Sequence, residues 1–113
     1  MNSSRIVNKN SSGLAASLVV SANPAVLYGL TVYNGKSSAQ YIQIHDAASL
    51  PADTAVPTFP PIRVDTLDTV SISFPEGRNF ATGIIVCNSS TAATKTIGSA
   101  DCIIDAQVGA LMA

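Results

Sequence analysis

The apolar residues of this chain arrive in runs of strand length, and Pro, Gly, Asn or Asp punctuates the gaps between them. No run approaches the ~20 residues that a membrane-spanning helix needs. Residues 26–46, VLYGLTVYNGKSSAQYIQIHD, set the pattern. Two β-branched and aromatic runs flank Asn34-Gly35, the pair that most readily takes positive φ. The stretch predicts a hairpin with a loop of several residues, because Lys36-Ser37-Ser38-Ala39 delays the return of apolar character. An antiparallel β fold is the first consequence.

Residues 1–13 hold four Ser, three Asn, Arg5, Lys9 and Gly13 around the short pair Ile6-Val7. Such a composition buries too little to order itself, so it reads as a flexible N-terminal arm: a frayed terminus, or in the functional alternative a segment that orders on a partner. Residues 14–113 then form one domain. Leu18-Val19-Val20 before Asn23-Pro24 reads as a strand closed by a turn. In the next run Val26, Tyr28, Leu30 and Val32 share one face, and Leu27, Gly29, Thr31 and Tyr33 the other, by the two-residue period of a strand.

Residues 46–61 carry prolines at 51, 57, 60 and 61, which exclude a central strand and a long helix. Leu50, Val56 and Phe59 give this long connection apolar anchors, so it is expected to be an ordered crossover from one sheet to another. Residues 62–64 and 69–74 are strands, with Val70, Ile72 and Phe74 facing inward. Residues 75–79, PEGRN, read as a turn. The nearly continuous apolar run 80–88 suits a central strand covered on both faces, and 101–108 is the last strand. The sum is an antiparallel β-sandwich of seven or eight strands, with jelly-roll or Greek-key/Ig-like connections.

Function is bounded mostly by what the inventory lacks. Six Lys+Arg against seven Asp+Glu give no basic stripe for nucleic acid. Charged residues make up 12% of a chain that is 47% hydrophobic. That leaves surface for a partner to cover, since soluble domains carry about 25% charged residues. The N-terminus has no apolar stretch of the secretory type, so synthesis in a reducing cytosol is expected. Cys87 and Cys102, each inside an apolar run, then act as small buried hydrophobes.

The single His45 is followed by Asp46, but neighbours on a strand point to opposite faces and are badly placed to share a proton. One His with two Cys fails the ligand count of a zinc site. No nucleophile elbow or phosphate-cradling glycine loop is present. The expectation is a protein without catalysis or cofactor.

Four strings carry a resemblance: Leu27-Tyr28-Gly29, residues 41–46 (YIQIHD), Leu50-Pro51-Ala52-Asp53 and residues 88–95 (NSSTAATK). Together they span about residues 25–107 and resemble a family of small structural proteins encoded by tailed phages. The resemblance implies a virion component, with a capsid decoration or cement protein as the leading reading. Its partner would be the major capsid protein, its place the capsid surface, and its assembly a homotrimer that buries the apolar surplus. Candidate partner-binding residues are Arg5, Ile6, Val7 and Lys9 of the arm, with Tyr33 and Phe59. The alternative is a receptor- or carbohydrate-binding module of a tail or head fibre.

Overall fold

The computed structural model describes residues 6–110, and among them holds eight strands and no helix. In chain order these are β1 (Ile6–Asn10), β2 (Ser17–Ser21), β3 (Ala25–Asn34), β4 (Gln40–His45), β5 (Ile62–Val64), β6 (Thr69–Phe80), β7 (Ile84–Ser89) and β8 (Cys102–Ala110). They form two antiparallel sheets of four strands, ordered β1-β8-β3-β6 and β2-β7-β4-β5. That order is a jelly roll, so the expected antiparallel sandwich is present with one of its topologies selected. We call the sheets first and second in that sequence.

Alternation builds the core. Leu27, Leu30 and Val32 of β3, Ile104 and Ala106 of β8, Ile42 and Ile44 of β4, and Ile84 and Val86 of β7 pack between the sheets, with Phe80 closing one end. Val70, Ile72 and Phe74 of β6 pack against them half-buried, on the face the sequence assigned. Strand β7 lies between β2 and β4 and is buried along its whole length, as a run apolar on both faces requires.

The connections differ from the sequence reading in a systematic way. Every link carries the chain from one sheet to the other except the link from β4 to β5. Residues 26–46 are therefore no hairpin, because β3 belongs to the first sheet and β4 to the second. Neither Asn34 nor Gly35 takes positive φ. Asn34 is instead fully buried, and its Nδ2 donates to the carbonyls of Ser38, Val64 and Asp65 at 3.0, 3.1 and 3.3 Å. It ties the corner to β5. Conversely, residues 46–61 do not change sheets, since β5 pairs with β4 through Gln40↔Val64 and Ile42↔Ile62.

The face assignment along β3 holds for only half its length. Leu27 pairs with Val108 and Gly29 with Gln107, so Tyr28 is an extra residue relative to β8. This β-bulge shifts the alternation by one position. Ala25 and Leu27 point inward before it, Leu30 and Val32 after it, and Val26 and Tyr28 do not share their face. Residues 75–79 likewise are no turn but part of β6. Leu27 faces Arg78 while Gly29 faces Ser73, so residues 74–77 bulge out of the edge. Gly77 takes φ of 81°, and a Cβ there would strike Val26 and lie 3.0 Å from the Tyr28 ring. The β6 bulge thus lies over the outer face of β3, which is why Val26 is buried outside the core.

Within residues 1–13, the part assigned to a flexible arm, residues 6–10 form β1 in unbroken register with β8, from Ile6↔Gly109 to Asn10↔Asp105. All five are exposed, so side-chain burial does not hold the strand; the ladder to β8 does. Residues 1–5 lie outside the described residues.

Candidate functional site

The outer face of the second sheet collects the chain's one histidine, one of its two cysteines and two buried polar side chains. Strand alternation sends Gln43 and His45 of β4 and Cys87 and Ser89 of β7 to this face, and the ladder sets Gln43 opposite Cys87. All four are buried, under a cover of two loops. One is the proline-rich segment 46–61, the other residues 90–101 between β7 and β8. Gln43 Nε2 donates to the carbonyls of Thr91, Ala92 and Thr94 at 3.0, 3.0 and 3.1 Å, folding the second loop down. Ser89 Oγ accepts the backbone N–H of Thr91 and of Thr96.

Lys95 joins the two loops. Its side chain is 3% exposed, and Nζ lies 2.6 Å from the half-exposed Asp53 carboxylate. Backbone bonds run alongside, from Thr54 N to the Lys95 carbonyl and from Lys95 N to the Ala55 carbonyl, both 2.7 Å. At the far end of the first loop Phe59 packs edge-on to Phe74 at 5.4 Å, and the Arg78 guanidinium sits 4.7 Å over its ring.

The electrostatics of the cluster work against a nucleophile. Burial pushes the Cys87 thiol up to about 11, despite Lys95 nearby. It is protonated at neutral pH, whereas a reactive cysteine must be a thiolate. Burial, then the Lys95 charge, lowers the His45 pKa, and its Nε2 lies 3.1 Å from Gln43 Oε1. Asp46 is engaged elsewhere. Burial raises its pKa, but N–H bonds from Thr82, Gly83 and Ala81 outweigh this and lower it. The His45-Asp46 pair thus serves two different contacts. Cys102 is buried and free in the first sheet, with its thiol also pushed up to about 11 by burial. Among the described residues no three His, Cys, Asp or Glu gather as metal ligands would.

The arrangement is chemically a staple. It pins two long loops to a sheet face that would otherwise be wet. Sequence reasoning missed Lys95, Gln43 and Asp53, and the one available signal was Lys95 amid the small residues of 89–98, a lone charge without a visible partner.

The second candidate lies at the edge where β1 and β2 run side by side. Val7, Lys9, Val19, Val20, Pro24 and Val108 line part of an open cleft of about 520 Å³ there. Val7 is 53% and Val19 48% exposed, high for such side chains. Of the partner-binding candidates, Ile6, Val7 and Lys9 come together on β1, and Val7 and Lys9 reach this cleft. Tyr33 sits apart at the other end of β3, opposite Thr69 and Ile103. Phe59 is held against β6, and Arg5 lies outside the described residues.

Searches against family models, curated proteins and solved structures find no match to this chain.

Proposed function

We propose that this chain is a non-enzymatic structural protein of a tailed-phage virion, a decoration protein that binds the shell of the major capsid protein and stabilises it. One observation carries the reading: the chain's polar chemistry is spent inward, while its apolar edge stays open. Gln43, Ser89, Lys95 and Asp53 fasten loops to the sandwich, and Cys87 is a buried thiol. Val7 and Val19 remain exposed on a rigid frame. A protein that reinforces a shell needs a stiff body and a surface to cover, with no group that must titrate or react. The jelly roll recurs in capsid and lectin domains, which supports the reading by analogy of fold alone. The four strings that resemble phage structural proteins supply the virion context.

The test is binding to capsids. Labelled protein added to purified expanded capsids of the parent phage should co-sediment at a fixed, saturating stoichiometry and raise the temperature at which the capsids disrupt. Absence of capsid binding together with selective binding on a glycan array would replace this reading with a receptor-binding module of a fibre.

A further inference from the structure

The four edge strands of the sandwich are not alike. Strand β2 carries a register shift between Val19 and Ser21. Strand β5 is three residues long and follows Pro60-Pro61. Strand β6 contains Pro75 and the 74–77 bulge. Shortness, proline and bulges are the devices by which proteins stop an edge from pairing with another chain. Strand β1 has none of them: its register with β8 is regular from end to end. Its one protective feature is Lys9.

Hydrogen-bond parity fixes which backbone groups β1 offers. Continuing the register past Asn10↔Asp105 sets Ser11 opposite Ile104, and Ser11 N donates to the Ile104 carbonyl at 2.9 Å. Residues 11, 9 and 7 therefore direct their backbone groups toward β8, and those of Asn8 and Asn10 point to the open edge, because the direction alternates along an antiparallel strand. Side chains agree. Asn8 and Asn10 meet Gln107 and Asp105 across the ladder at 3.3 and 3.1 Å, as narrow non-hydrogen-bonded pairs allow.

We propose that β1 is a dimerisation strand: a second copy of this chain pairs with it, antiparallel, across a two-fold axis at Asn8. The two first sheets then become one continuous sheet. A two-fold contact must be self-complementary, and this register is. Asn8 exchanges both backbone bonds with its own mate. Val7 of one copy faces Lys9 of the other, so the two lysines are not opposed and each alkyl stem lies on a valine. The exposed Val7 and Val19 beside the cleft become covered as the edges meet. The apolar surplus that suggested a trimer is thereby met by a two-fold pair. The inference assigns to a second copy the open edge on which the virion reading rests, and it is tested without capsids.

The whole chain is measured by analytical ultracentrifugation and native mass spectrometry across a dilution series. The wild type should show twice the 11.6 kDa chain mass. Asn8→Pro removes an N–H that points away from β8, so it should give a monomer whose melting transition stays cooperative. Asn8→Lys and Asn8→Asp test the axis independently of folding. Each alone should be monomeric, and an equimolar mixture should restore a one-to-one heterodimer. A wild type that is monomeric or trimeric overturns the proposal, as does a dimer that persists in both charge variants. A mixture that fails to reassociate also overturns it.

Discussion

Two residues show how much depends on a single side chain. The Asn34 amide at the corner between the sheets serves three carbonyls, and Asn34 Oδ1 accepts the Lys36 N–H. Removing a buried donor leaves its acceptors without partner or water, at about 1–3 kcal/mol. Asn34→Ala should lower the urea-unfolding free energy by about 2 kcal/mol with an unchanged m-value. Gly77 is constrained by conformation and by space. Its φ of 81° disfavours any side chain, and a Cβ would meet Val26 and Tyr28. Gly77→Ala should therefore destabilise by more than about 1 kcal/mol in the same measurement. An unchanged midpoint would mean that the β6 bulge does not press on β3. The sequence marked Asn34-Gly35 and Gly77 as turn residues. It could not show that Asn34 faces the core or that Gly77 covers a neighbouring strand, because both depend on chain remote in sequence.

Among the elements, the stapled loops should respond to pH. His45, under the loops, feels the Lys95 charge from the β7–β8 loop, while Asp53 of the other loop pairs with Lys95. Burial and Lys95 hold the His45 pKa below 6.5, so the closed arrangement is favoured above 6.5 and loses that advantage as pH falls. The Lys95 hydrogen bond, then the Ile97 N–H, hold the Asp53 carboxyl below 3.8. Its contribution is present above 3.8 and is lost as pH drops through the folded value. Protonation of either group favours loop opening in acid. The readout is Cys87 labelling by 4,4′-dithiodipyridine, which reacts in acid, in a Cys102→Ala background. Thiolate fraction and reagent protonation both change with pH, so the rate is normalised to that of free cysteine at the same pH, and a normalised rate that rises below pH 6.5 reports opening. Asp53→Asn, which leaves the buried Lys95 without its carboxylate, should label faster than its parent at neutral pH. A normalised rate that does not rise with acid, in both proteins, would show that the loops stay shut.

For the whole molecule, strand content, the antiparallel sandwich and the inward face of β6 were legible in the sequence. Each follows from a two-residue alternation that any segment carries within itself. The connectivity was not legible. Asn-Gly suggested a hairpin and the proline-rich segment a crossover, and the fold assigns them the other way round. A turn residue limits how sharply a chain can bend, but sheet membership depends on which apolar faces must cover one another. The candidate site was hidden for the same reason: Gln43, Lys95 and Asp53 converge from a strand and two loops, with no local signature of the meeting. Around β1 the sequence showed only that residues 1–13 carry too little apolar surface to order alone. Only the tertiary structure supplied the ladder of β8 that makes residues 6–10 a strand, because backbone hydrogen bonding is satisfied by position in the fold and not by side-chain identity.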